Sequence, residues 1–192
     1  MIRSSCFWSS VLLYEICHVT IDNYNKQIYY YIYDNDFHYH IFQELEEMIK
    51  MSKVNIIYWT GTGNTEIMAK LIEEGAKEKG AEVKLLHVAD ASVDDVKGAD
   101  VVLLGSPAMG AEVIEESEME PFVDSISSAV SGKKLGLFGS YGWGDGEWMR
   151  SWFERMEGYG ANLLNEGLIV QEAPEGDSEE ECKNFGREAA VY

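Results

Sequence analysis

The sequence predicts an α/β fold, a doubly wound five-stranded parallel sheet with helices on both faces, over residues 51–192. Three observations predict it. From Met51 onward, short apolar and β-branched runs alternate with longer segments whose apolar residues recur at helical spacing, the pattern of repeated strand and helix units. One run, Ala99 to Gly105, is apolar throughout from Val101 onward, Asp100 being its one charged residue, as a strand is when both of its faces are covered. Three of the runs also break off into glycine-bearing loops, Thr60 to Thr65, Ser106 to Glu112 and Ser140 to Asp145.

Strand one is expected over Val54 to Trp59, followed by a helix from Asn64 to about Lys79 with Ile67, Met68, Leu71, Ile72 and Gly75 in helical register. Gly80 stops it. Strand two is Val83 to His87, a short turn of helix occupies Val93 to Lys97, and Ala99 to Gly105 is strand three. After an irregular loop from Ser106 to about Ser117, a helix runs through Phe122, Ile126 and Val130. Strand four is Leu135 to Gly139, and a glycine-rich turn leads to a helix with Trp148, Trp152 and Met156 on one face, read as core. Strand five is Leu168 to Val170, and a helix from Asp177 to about Ala190 closes the chain. Right-handed crossovers leave few topologies for such a chain. Ligands of these folds bind beyond the carboxyl ends of the strands, so the three loops should meet around one ligand.

The first loop has chemistry of its own. Gly61 and Gly63 let the backbone turn with its N–H groups inward, and the first helical turn adds N–H groups that lack intrahelical partners. Thr60, Thr62, Asn64 and Thr65 add side-chain donors, and no Lys or Arg lies in the loop. An anion would be held there by hydrogen bonds. A Walker loop is excluded because its Lys is missing, and the dinucleotide fingerprint because Glu66 stands where a third Gly is needed. A terminal phosphate monoester suits the loop better than a pyrophosphate. The same residues also serve as a plain helix cap. In the other two loops Met109 offers a soft thioether and Trp143 an aromatic plane, a pair that can sandwich a flat ring system.

The formal net charge is −19, with 34 acidic against 15 basic side chains. That field repels nucleic acid and anionic membranes and attracts a basic patch on a protein. Three widely spaced cysteines, Cys6, Cys17 and Cys182, show no metal-ligand spacing and indicate a reducing, cytoplasmic compartment. Residues 1–50 differ from the rest: they hold no Gly, Ala or Pro and seven of the eleven Tyr. They fit neither a signal peptide nor a membrane span. A Tyr-rich strand is expected around Gln27 to Tyr33, and His38 and His40 lack a recognisable third metal ligand. The bias toward residues of AT-rich codons suggests upstream DNA read as protein from a misplaced start, with Glu46 and Glu47 encoded where a ribosome-binding site should precede Met51. Residues 1–50 are thus expected to be a non-native upstream extension or a disordered segment, before a ligand-binding domain of residues 51–192.

Several motifs agree in order with one family. The loop Thr60-Gly61-Thr62-Gly63-Asn64-Thr65, Ala108-Met109-Gly110 followed by Glu112, Glu115-Glu116-Ser117-Glu118 with Glu120-Pro121-Phe122, and Gly139-Ser140-Tyr141-Gly142-Trp143-Gly144-Asp145-Gly146 closely resemble the short-chain flavodoxins of anaerobic bacteria such as clostridia. The resemblance covers Met51 to Tyr192 and implies strand order 2-1-3-4-5 and noncovalent FMN, its phosphate in the first loop and its isoalloxazine between Met109 and Trp143. It implies a cofactor site of Thr60 to Thr65, Ser106, Pro107, Ala108, Met109, Gly110, Ala111, Glu112, Ser140, Tyr141, Gly142, Trp143, Gly144 and Asp145. Gly110 would be a redox switch whose carbonyl turns to accept from flavin N5–H, and Glu112 would hold the pyrimidine edge. Ala111 and Pro107 depart from relatives that carry Asp and a phosphate-binding Ser there, with Ser106 adjacent.

The implied function is a low-potential one-electron carrier cycling FMN between semiquinone and hydroquinone, a monomer serving redox proteins that otherwise use ferredoxin. The alternative is a flavodoxin-like FMN-dependent reductase of NAD(P)H or quinones. A response-regulator-like module is discounted, because Gly105-Ser106-Pro107 stands where it needs a carboxylate. The acidic run Glu112 to Glu120 has two readings: a solvated helix start, or negative charge that lowers the flavin potential.

Overall fold

The computed structural model describes residues 18–22, 27–31 and 51–192. The chain divides into two compact units, 1–50 and 51–192, at the point where its composition changes. In the first, β1 (His18–Asp22) and β2 (Gln27–Tyr31) pair antiparallel, with Asp22 opposite Gln27. The strand expected near Gln27 is present; its partner was not anticipated, although Val19, Thr20 and Ile21 are the β-branched residues that mark strands. The expectations for Cys6, Cys17, His38, His40, Glu46 and Glu47 lie outside the described residues.

The second unit alternates as expected. Its elements are β3 (Lys53–Tyr58), α1 (Asn64–Glu78), β4 (Glu82–His87), a 3-10 turn (Val88–Asp90), α2 (Val93–Gly98), β5 (Val101–Gly105) and α3 (Met119–Ser125). They continue with β6 (Lys134–Tyr141), α4 (Glu147–Gly158), β7 (Asn162–Leu163), β8 (Leu168–Gln171) and α5 (Asp177–Val191). All strand pairs are parallel, in the order β4-β3-β5-β6. The fifth position is shared: β7 pairs with Lys134 and Leu135 at the start of β6, and β8 pairs with Phe138 to Tyr141 at its end. The order 2-1-3-4-5 therefore holds, with strand five in two pieces. The turn between the pieces is fastened by Gly167 N–H to Asn165 Oδ1 at 2.9 Å.

Strand period explains the two cores. Along β3, Ile56 joins one apolar cluster and Ile57 the other; along β5, Val101 and Leu103 face one side while Val102 and Leu104 face the opposite. Alternate side chains leave a strand on opposite faces, so a fully apolar strand feeds two layers at once. Every residue of β5 is buried. One layer packs α1 and α5 through Met68, Ile72, Cys182 and Phe185; the other packs α2, α3 and α4 through Val96, Phe122, Trp148, Trp152 and Met156. Trp148 and Trp152 are core, as their helical spacing predicted.

The helices α1 and α5 cross closely. A Cβ on Gly75 would overlap the Lys183 carbonyl, and one on Gly186 the Ile72 carbonyl. The helix expected through Val130 is shorter than its apolar spacing suggested. It ends at Ser125, whose hydroxyl donates back to the Phe122 carbonyl at 2.7 Å, and turns continue the path. Ile126 and Val130 are buried nonetheless. Burial followed the apolar spacing, while the Ser125 hydroxyl bonds back to the backbone of the last turn.

Candidate functional site

The loops after β3, β5 and β6 leave the same edge of the sheet and are bonded to one another. Trp59 N–H donates to the Gly105 carbonyl at 2.9 Å, joining the starts of the first two loops. The Thr65 hydroxyl lies 3.1 Å from that of Ser140, both buried, joining the first loop to the third. Ala108 N–H donates to the Ser140 carbonyl at 2.9 Å, joining the second to the third. The expected convergence of Thr60 to Thr65, Ser106 to Glu112 and Ser140 to Asp145 is thus present in the backbone itself.

In the first loop the Thr60 hydroxyl accepts from Gly63 N–H at 3.0 Å, closing a tight turn. Gly63, the N-cap of α1, has φ 96, and no side chain caps the helix. The first N–H groups of a 15-residue helix are thereby left for a ligand. Gly61 and Thr62 are exposed, Asn64 half-buried. The nearest charges along α1 cancel each other: Lys70 pairs with Glu66 at 2.6 Å. This donor set suits a phosphate bound by neutral hydrogen bonds.

The second loop doubles back on itself. Met109 and Val113 form a two-bond antiparallel bridge at 2.8 and 3.0 Å. Between them Gly110 has φ 46, Ala111 is exposed, and Glu112, a non-glycine residue, has φ 55. Left-handed φ is costly for a side chain. Here the Glu112 carboxylate gains two charge-assisted bonds in return, from the N–H groups of Asp145 at 2.9 Å and Glu147 at 2.5 Å at the start of α4. Ser106 sits elsewhere than its sequence neighbours suggested. Its fully buried hydroxyl accepts from Glu115 N–H at 3.0 Å and donates to the Pro107 carbonyl at 3.1 Å, so it braces the loop from within. Pro107 and Ala108 are half-buried.

The acidic run divides in two. Glu115 is a buried cap for α3, accepting from the N–H groups of Ser117, Glu118 and Met119 and from the Ser117 hydroxyl. Glu120 pairs with Arg155 at 2.7 Å. Glu116 and Glu118 are exposed. The helix-start reading is realised by Glu115, while Glu116 and Glu118 leave their charge in solvent.

The third loop begins at buried Ser140 and half-buried Tyr141, whose ring packs against Trp148 at 5.8 Å. Gly142, Trp143, Gly144 and Asp145 are exposed, and Gly144 and Gly146 have φ of 92 and 88. Trp143 is 66% exposed and Met109 36%, so both large side chains stand at the edge, outside the core. Sequence reasoning missed Arg150 and Gln171, which bond the two shoulders of this loop. Arg150 lies one turn into α4, a place where a helix-start pattern could have flagged it. His87, at the end of β4, accepts from Ala89 N–H, meets Tyr58 edge-on and lies 4.0 Å from the Glu118 carboxylate.

An anion cradle at a helix start, with two soft or aromatic side chains exposed beside it at the carboxyl edge of a doubly wound sheet, is a site fit for a phosphate-bearing ligand with a flat ring. The flavodoxin family model matches residues 56–186. The chain is 51% identical over 137 residues to the flavodoxin of Clostridium beijerinckii, covering 71% of this chain and 99% of that one. It is equally 51% identical to the flavodoxin of Megasphaera elsdenii, over 71% and 98%. The solution structure of two-electron reduced Megasphaera elsdenii flavodoxin superposes with a TM-score of 0.67 at 49% identity, over 72% of this chain and 99% of that one. The chain belongs to the flavodoxin family. It is accordingly an FMN-binding electron carrier that serves redox partners, not an enzyme. The alternative of a nicotinamide or quinone reductase is not favoured. Among the described residues no helix is long and apolar enough to cross a membrane.

Proposed function

We propose that the FMN phosphate lies in the Thr60 to Thr65 loop, that Met109 and Trp143 cover the two faces of the isoalloxazine, and that electrons leave one at a time at this edge. The observation that carries the reading is the exposure of Met109 and Trp143 on loops tied directly to the phosphate cradle. Bound FMN supplies reversible one-electron chemistry that no side chain offers. The chain's residues bind and tune. First-turn N–H groups of α1 and the hydroxyls of Thr60, Thr62 and Thr65 meet the phosphate. Gly110, at φ 46 and lacking a Cβ, is the residue whose peptide turns toward the ring at least steric cost. The Glu112 carboxylate, with two of its lone pairs engaged, keeps others for the ring's pyrimidine edge.

Partner choice follows from charge. Met109, Val113 and Trp143 form an exposed apolar centre, rimmed by Glu112, Glu116, Glu118, Asp145 and Glu147. This acidic rim draws a basic patch on a partner toward the edge before contact. Oxidoreductases that otherwise accept ferredoxin are the partners of this kind. A net charge of −19 keeps copies apart, which supports a monomer, and the odd number of cysteines supports the cytoplasm.

The test is an anaerobic reductive titration of the full chain reconstituted with FMN. We expect two successive one-electron steps, with long-wavelength absorbance rising in the first and lost in the second. A single two-electron bleach would return the reductase reading, and failure to bind FMN would overturn the site.

A further inference from the structure

Trp143 stands on a loop fastened at both shoulders by side chains outside the ring site. On one side Gln171, the last residue of β8, donates from Nε2 to the Gly142 carbonyl at 3.3 Å. On the other, Arg150 donates to the Asp145 carbonyl at 2.8 Å and to its carboxylate at 2.9 Å. Glu112 takes the Asp145 and Glu147 N–H groups from the facing loop. Gly144 makes this approach possible, since a Cβ there would overlap the Glu112 carboxylate. The carboxylates of Glu112, Asp145 and Glu147 gather within 4.8 Å of one another. The Arg150 guanidinium faces all three, and its pKa is held above the ordinary value, first by the bond to Asp145.

None of these bonds gives Trp143 a place in the core. They order a loop whose apex remains in solvent. Ordering before binding removes a conformational cost that the ligand would otherwise bear. An exposed ion pair alone does little. Arg150 does more because its planar fork grips a backbone carbonyl and a carboxylate together, a geometry that an ammonium cannot copy.

We propose that Arg150 and Gln171 are positioning residues that hold Trp143 in its ring-stacking pose. The proposal rests on the reading that Trp143 stacks on the isoalloxazine. Neither residue touches the phosphate cradle, so their influence should fall on the ring alone.

The test uses the full chain labelled with 5-fluorotryptophan, the residue 143 resonance being assigned by Trp143→Phe. Fluorine spectra without flavin, and dissociation constants for FMN and for riboflavin, are compared for the parent, Arg150→Met, Arg150→Lys and Gln171→Ala. Riboflavin lacks the phosphate and isolates the ring. We expect Arg150→Met and Gln171→Ala each to broaden or shift the residue 143 resonance. Each should weaken both flavins by the same factor, about 2- to 10-fold, with Arg150→Lys recovering only part. An unmoved resonance with unchanged affinities overturns the proposal. So does full recovery by Lys, which would make the effect one of charge. A moved resonance with unchanged affinity for both flavins overturns it by a different route, refuting the stacking while the clamp stands.

Discussion

Trp143→Ala should separate binding from folding. The side chain is 66% exposed, so of the roughly 250 Å² that a tryptophan can bury, about 160 Å² remains available. A ring laid over one face covers about half of that, and ~80 Å² at ~25 cal/mol per Å² is about 2 kcal/mol. FMN affinity should therefore fall about 30-fold. Because little of the indole is buried before binding, folding stability without flavin should change by less than about 0.5 kcal/mol. The assay is FMN titration of the flavin-free protein, followed by flavin fluorescence, alongside urea denaturation of the same preparations. Unchanged affinity would refute the sandwich. A stability loss above about 1 kcal/mol would instead assign Trp143 to the core.

Three further outcomes are expected. Gly75→Ala places a methyl against the Lys183 carbonyl where α1 and α5 cross, and should destabilise the fold by about 3 kcal/mol; a urea midpoint within error of the parent would contradict the close packing. Burial alone would push the Glu115 carboxyl up, but the Ser117 hydroxyl and the N–H groups of Met119, Glu118 and Ser117 hold it below the usual range. A lowered folded pKa adds stability above the unfolded value, about 4.3, and that stability is lost as pH falls through the folded value. Glu115→Gln should accordingly cost about 1.5 to 3 kcal/mol at pH 7 and progressively less below about pH 4; a difference independent of pH would argue against the cap. Electron transfer to a basic redox protein should slow by at least about tenfold from low to high salt while transfer to a neutral quinone holds steady; equal salt dependence for both would remove the acidic edge from docking.

The strands were legible because their signals are local. Val54 to Trp59 and Ala99 to Gly105 are mostly apolar runs bounded by turn residues, and the structure keeps them within a residue or two, as Lys53–Tyr58 and Val101–Gly105. The phosphate loop was legible for the same reason, since glycines and hydroxyls between a strand and a helix restrict the backbone over a few bonds. The length of α3 differs from its apolar spacing: Ile126 and Val130 keep helical spacing and burial, while past Ile126 the backbone bonds tighten to three-residue turns, Ser127 N–H to Asp124 and Ala129 N–H to Ile126. The split of strand five passed unnoticed because two residues, Asn162 and Leu163, are too few to show a period.

What the sequence determined by itself is the alternation of strands and helices, the two-faced burial of β5, the three ligand loops, and through their motifs the family. These depend on residues close together in the chain. Only the tertiary structure decided how the site is braced. Glu112 meets Asp145 across 33 residues and Gln171 meets Gly142 across 29, and Ser106 turns inward because Glu115 N–H arrives beside it. Such partners are defined only when strand order brings distant loops to one edge, and no period or turn preference in the chain encodes which side chain will be waiting there.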